Sequence, residues 1–213
     1  LATVLLYQGQ YGEAQRLYEW ALAVYEAALG CDHPDTLTNV NNLASVLMQQ
    51  GRYTDAQQLF ERVLAVRKAV LSEAHPDTAT SLNNLAGGLS WQGQYGKAQG
   101  LFERALEINK AMLGPEHPET VASSMNLERL IKHRKYAHRA SLLNNFAVLL
   151  ASQGCYGDAQ LIFEQALALF ESLLRLKHPY TITVIENMGY LFMLQDRSIE
   201  ALGLIERAVM LYE

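Results

Sequence analysis

HPDTLTNVNNLASVLMQQGRYTDAQQLFERVLAVRKAVL, residues 33–71, decides the fold. Leu37, Val40, Leu43, Ala44 and Leu47 recur at intervals of three and four, which places them on one face of an α-helix. Pro34 and Asp35 suit its start, where a missing N–H costs nothing and a carboxylate meets the positive end of the helix dipole. Gly51 suits its end, because glycine readily takes the left-handed conformation that terminates a helix. A second helix is predicted from about Thr54 to Leu71, turning Ala56, Leu59, Phe60, Val63, Leu64 and Val66 inward. Neither helix can bury its apolar face alone, so hairpin must stack on hairpin.

Working outward, the same signals return. His-Pro-Asp-Thr stands at His33 and again at His75, His-Pro-Glu-Thr at His117, and His-Pro-Tyr-Thr at His178. Gly9, Gly51, Gly93 and Gly154 each open a Gly-x-Tyr turn. The intervals from Gly9 to Gly51 and on to Gly93 are 42 residues, as are those from His33 to His75 and on to His117. Two independent markers with one period establish a repeat array.

These residues resemble the tetratricopeptide repeat. Its small residue appears as Ala44, Ala86 and Ala147, and its turn as Gly51/Tyr53, Gly93/Tyr95 and Gly154/Tyr156. Its second helix appears as Ala56, Phe60 and Val63, then Ala98, Phe102 and Ala105, then Ala159, Phe163 and Ala166. The usual repeat is about 34 residues, so this form adds roughly two turns. The long form, with its NNLA and HPDT strings, is similar to the repeats of kinesin light chains and of arrays in signalling NTPases of the STAND class. The resemblance implies an all-α, right-handed superhelical solenoid of antiparallel helix pairs. It implies a non-catalytic scaffold that binds a protein or peptide on its concave face. The alternative it leaves open is a sensor or autoinhibitory array of a larger STAND-type NTPase.

The period breaks once. From Gly93 to Gly154 is 61 residues where two repeats would take 84, a shortfall of 23. KHRKYAHRA, residues 132–140, stands where a Gly turn is expected, and the next first helix begins almost at once. A deletion, an absent segment, or one long helix from Glu119 to Gln153 would each account for this; two short helices or an interruption is the favoured expectation. The expected organisation is therefore residues 1–137 as one run of repeats and 138–213 as two more. Leu1 is neither Met nor part of a signal-like head, so the chain reads as an excerpt of something longer. Its uncapped ends predict either a longer parent or self-association.

Composition narrows the functions. A net charge of −5 argues against nucleic acid, whose binding needs clustered Lys and Arg. No apolar run approaches the roughly 20 residues of a membrane span. Two cysteines far apart, Cys31 and Cys155, point to a reducing, cytoplasmic setting and read as packing or loop residues. The four His-Pro histidines fall in successive loops about one helix spacing apart, too far to share a metal. No catalytic pattern or cofactor motif is present. No catalytic residue, metal or cofactor is expected.

Binding has positive support in a polar stripe on the first helices: Thr38, Asn41, Asn42, Ser45 and Gln49, then Thr80, Asn83, Asn84 and Trp91, then Asn144 and Asn145. One amide recurs in every repeat with a complete first helix, as Asn42, Asn84, Asn126, Asn145 and Asn187. An amide both donates and accepts, so a row of them can hold an extended peptide by its backbone. Equally, the amides could bond to neighbouring helices and hold the repeats in register. Arg129, Lys132, Arg134, Lys135 and Arg139 form a basic cluster that could attract an acidic partner or be a solvated face.

Overall fold

The structure, a computed structural model, describes residues 2–173 and 179–212. Ten α-helices follow one another there: α1 Ala2–Tyr7, α2 Tyr11–Leu29, α3 Pro34–Gln49, α4 Tyr53–Leu71, α5 Pro76–Trp91, α6 Tyr95–Leu113, α7 Pro118–Ser152, α8 Tyr156–Leu173, α9 Pro179–Leu194 and α10 Ser198–Tyr212. No strand occurs among the described residues.

Both sequence markers are chain-reversal devices. Gly51 takes φ +79°; its N–H donates to the Met48 carbonyl at 3.2 Å, and the Arg52 N–H reaches the Leu47 carbonyl at 2.9 Å. This double bond ends α3 and leads directly into α4. Gly9, Gly93 and Gly154 repeat it. In the His-Pro-x-Thr motif the histidine is the helix cap. Nδ1 of His33, His75 and His117 accepts the backbone N–H two residues on, at 3.2, 3.1 and 3.2 Å. The motif threonine closes the loop behind it: Oγ1 of Thr36, Thr78 and Thr120 donates to the carbonyl of Gly30, Ser72 and Gly114, at 2.8, 2.8 and 2.7 Å. His178 of the fourth motif lies outside the described residues.

Each core cluster joins one first helix to two second helices. Leu37, Val40 and Val63 pack with Leu59, Val66 and, from the preceding hairpin, Leu22. Ala79, Leu82, Ala105 and Ile108 do the same with Leu101 and the preceding Leu64. Ile182, Ile185 and Ala208 pack with Leu204, Leu211 and the preceding Leu167. Each fully buried Val or Phe in such a cluster contributes about 1.5–3 kcal/mol, and stacking is what makes that burial complete.

The interrupted region differs from expectation. Two short helices are not found: α7 runs unbroken for 35 residues, through Arg134 and Arg139. Residues 119–152 hold neither Gly nor Pro, so nothing stops the helix. Buried Ser123, Leu130, Ala137, Ala140, Asn144 and Ala147 keep a helical spacing through the junction, so the inward stripe continues across it. Internal contacts divide the chain into Leu1–Leu130 and Ile131–Glu213, with the boundary inside α7.

Candidate functional site

The paired amides of the first helices are not hydrogen-bonded alike. In Leu1–Leu130, Asn83 donates Nδ2 to the Ser123 hydroxyl on α7 at 2.8 Å. Asn41, its equivalent one repeat earlier, is buried with its Oδ1 unpartnered. At the second position Asn42, Asn84 and Asn126 are half-buried. Asn42 and Asn84 make no side-chain hydrogen bond to the described residues, and Asn126 accepts from Arg129 Nη2 at 2.8 Å. In Ile131–Glu213 the amides bond to each other. Asn187 on α9 donates to Asn144 Oδ1 at 3.0 Å, and Asn144 donates to Asn145 at 3.4 Å. Asn83 and Asn144 therefore each tie one first helix to the next, whereas Asn42 and Asn84 keep their amides unbonded within the described residues.

In the first unit a pocket of about 260 Å³ lies between α3, α5 and the start of α7. Phe60 and Phe102, from the second helices, form its floor; Met48, Trp91, Gly87 and Gly88 line its sides. Ser45, Gln49, Asn83, Asn84, Asn126 and Arg129 supply its polar groups. Small residues matter here, since a side chain at Gly87 would project from the α5 face that bounds the pocket. A second pocket of about 240 Å³ lies between α2 and α3, with Asp35, Thr38, Asn39 and Asn42 on one side and Tyr18 and Tyr25 on the other. Asn39 is buried there with both amide atoms unpartnered.

Asn39 marks a position that the other repeats satisfy. Its equivalents are Ser81 and Ser123. Arg67 Nη1 reaches the Asp77 carbonyl at 2.8 Å and Ser81 Oγ at 3.0 Å. Asn109, one repeat on, reaches Ser123 Oγ at 3.0 Å. Burial pushes the Arg67 guanidinium below its ordinary pKa, partly opposed by the charge of Asp77.

In the second unit the equivalent of the Phe60/Phe102 pocket holds about 330 Å³ and is apolar in character. Val148, Ala151, Leu191 and Leu194 surround Phe163, with Tyr156, Tyr190, Ser152 and Asn187 as the polar groups. Tyr190 and Val148 stand at equivalent positions of the two first helices, and of the two only Tyr190 was not singled out by sequence reasoning. The period identifies them, because Tyr190 takes the place of Gly87, and Val148 that of Ser45.

The remaining expected residues are scattered. Thr38 Oγ1 donates to its own helix at Pro34, and Thr80 Oγ1 bonds Pro76 and Glu119 at 3.2 Å. Arg129 lines the first-unit pocket. Lys132, Lys135 and Arg139 are exposed and share one stripe of α7, while Arg134, about 100° per residue along the same helix, points elsewhere. Arg134 thus stands apart from the other three. Cys31 and Cys155 are exposed and free, and no described helix is long and apolar enough to cross a membrane.

Comparison with known proteins follows the same architecture. The tetratricopeptide-repeat family model matches residues 1–69, 37–111, 77–134 and 138–213. Among solved structures, the chain is similar to the nearly identical TPR-like repeats of a Podosopora anserina kinesin-light-chain-like protein, at 26% identity over 99% of this chain and 91% of that one, with a TM-score of 0.54. A second structure of those repeats agrees at 25% identity, 100% and 92% coverage, and the same TM-score of 0.54. The apo form of RapI shares the fold at 17% identity and a TM-score of 0.53, over 100% of this chain and 80% of that one. No curated protein matches the sequence. The repeats in this family are scaffolds that mediate protein–protein interactions. All-α, built from successive helix pairs and matched by the family model along its length, the chain belongs to the tetratricopeptide-repeat family.

Proposed function

We propose that the chain is a non-catalytic scaffold that holds an extended peptide against the exposed face of its first helices, in a reducing, cytoplasmic setting. The observation that carries this reading is Asn84. Its amide is half-buried, lacks an internal side-chain bond, and lines a pocket floored by Phe60 and Phe102. A peptide backbone supplies the donor and acceptor that such an amide lacks, and the aromatic floor takes one side chain of the peptide. Asn42, Asn126, Gln49 and Trp91 extend the same surface. In the second unit the amides are tied together, and Tyr190, Val148 and Leu194 favour an apolar side chain instead.

Lys132, Lys135 and Arg139, on one exposed stripe, would favour a ligand with an acidic flank. A random-peptide array probed with the wild-type chain and with Asn84→Ala tests the reading. Peptides retained by the wild type should lose affinity about fivefold or more in the variant. Equal retention by both would remove Asn84, and with it the reading, from consideration.

A further inference from the structure

We propose that two copies of the chain pair antiparallel through the second half of α7, on a face that the shortened fourth repeat leaves uncovered. The shortfall has a structural identity. Its 23 residues match one second helix of 19 residues, such as α4, together with the loop 72–75 that follows it. α7 is thus two first helices fused end to end, and the second helix that would have packed against the latter of them is absent.

The loss shows in the burial of α7 within Ile131–Glu213. With the repeats aligned on their Gly turns and His-Pro motifs, Phe146 takes the place of Leu43, Leu85 and Met188. Those three are each 6% exposed, whereas Phe146 is 50% exposed. Leu149 takes the place of Val46 and Leu191, both 0% exposed, yet it is 52% exposed. Leu142 takes the place of Ser81 and Val184, each 1% exposed, yet it is 56% exposed. All three lie in the middle of the sequence, and the internal shortfall accounts for their exposure.

The pattern of the stripe points to its occupant. Arg139, Leu142, Phe146, Leu149 and Gln153 are separated alternately by three and four residues, the spacing of the seam between two paired helices. The seam is also close to symmetric about Phe146. A leucine lies about one turn away on either side, and a polar residue about two turns away at each end. A reversed copy therefore presents the same pattern, which is what an isologous contact about a two-fold axis requires. Antiparallel pairing sets Phe146 against Phe146, Leu142 against Leu149 of the second copy, and Arg139 against Gln153 of the second copy.

Charge selects the direction. Arg139 and Lys135 are exposed at the N-terminal side of the seam. Antiparallel pairing brings Arg139 beside the C-terminal turn of the other α7, the negative end of its helix dipole. A parallel pair would instead stack Arg139 on Arg139 and Lys135 on Lys135. From Arg139 to Gln153 the seam is about 21 Å long at 1.5 Å per residue, so the expected association is weak. This inference does not rest on the peptide groove.

Sedimentation velocity at up to about 100 μM tests the pairing, a range that captures weak association. The wild type should sediment as a dimer and Phe146→Glu/Leu149→Glu as a monomer. Both replaced residues are exposed, so helicity by circular dichroism should be retained. Disulfide cross-linking reads the direction, in a Cys31→Ser/Cys155→Ser background that removes the two free thiols. Phe146→Cys should cross-link to itself under mild oxidation. Arg139→Cys should not, because its two copies lie about 21 Å apart along the seam, beyond the reach of a disulfide. Mixed Arg139→Cys and Gln153→Cys chains should cross-link to each other. A monomeric wild type would overturn the proposal and leave the face to a helix of another protein. A double-Glu variant that dimerises like the wild type, or Arg139→Cys linking to itself as readily as Phe146→Cys, would overturn it as well.

Discussion

Asn83 on α5 donates its amide to the Ser123 hydroxyl on α7, at 2.8 Å. Its sequence neighbour Asn84 has no such bond, although both line the pocket floored by Phe60 and Phe102. Adjacent asparagines on one helix turn therefore do different work, since about 100° of helix rotation separates them. Asn83→Ala should lower stability by about 1 kcal/mol, the usual net worth of such a bond. Asn84→Ala should stay within about 0.5 kcal/mol of wild type. Urea denaturation of the two variants checks the contrast, and identical losses would contradict it.

Arg67 is buried, and its guanidinium bonds both the Asp77 carbonyl and Ser81 Oγ across the α4–α5 interface. Arg67→Ala should cost about 2–3 kcal/mol, because it strips a charged donor from two acceptors and leaves a void. Arg67→Asn should recover part of this loss. Asn109 makes the equivalent bond to Ser123 one repeat later. Thermal melts of the three proteins should rank wild type above Arg67→Asn, and that above Arg67→Ala.

Ser72 ends α4 at φ 102° and ψ 163°, a region that costs a residue with a Cβ of order 1–3 kcal/mol. Gly30 and Gly114 hold the same position after α2 and α6, at φ 91° and 89°. Ser72→Gly should therefore stabilise the chain by about 1 kcal/mol, after the larger chain entropy of glycine is set against the relieved strain. A Tm equal to or below that of wild type would show that the carbonyl of residue 72, which receives Thr78, already holds the loop without strain.

Lys135 is exposed in the middle of α7, so its side chain contributes little to stability. Proline there removes a helical hydrogen bond and clashes with the preceding turn, at a cost of about 3 kcal/mol. Lys135→Pro should lower stability by that amount and Lys135→Ala by almost none. If residues 132–140 were a loop, both substitutions would be tolerated alike, and urea denaturation separates the two outcomes.

Much of the fold is legible in the sequence because its signals are local. Apolar spacing on residues 37–47 and 56–66 follows from helix geometry alone. Gly51 stops a helix through its own backbone freedom. The His-Pro-x-Thr motif marks each loop, although its mechanism, a histidine cap and a threonine latch, involves bonds that only the folded loop displays. The junction departs from the sequence expectation for a physical reason. A missing turn motif says that the hairpin does not reverse there; it does not say whether the helix stops, and residues 132–140 hold no breaker to stop it.

The sequence by itself determined the class, the period and the ends of most helices, because each depends on neighbours within a few residues. Tertiary structure decided which amide is bonded within the fold. Asn83 and Asn84 are chemically identical, and only the approach of Ser123, 40 residues away, takes up one and leaves the other. It also decided that Phe146 and Leu149 stay exposed where their counterparts are buried, since burial depends on whether a distant helix arrives to cover them.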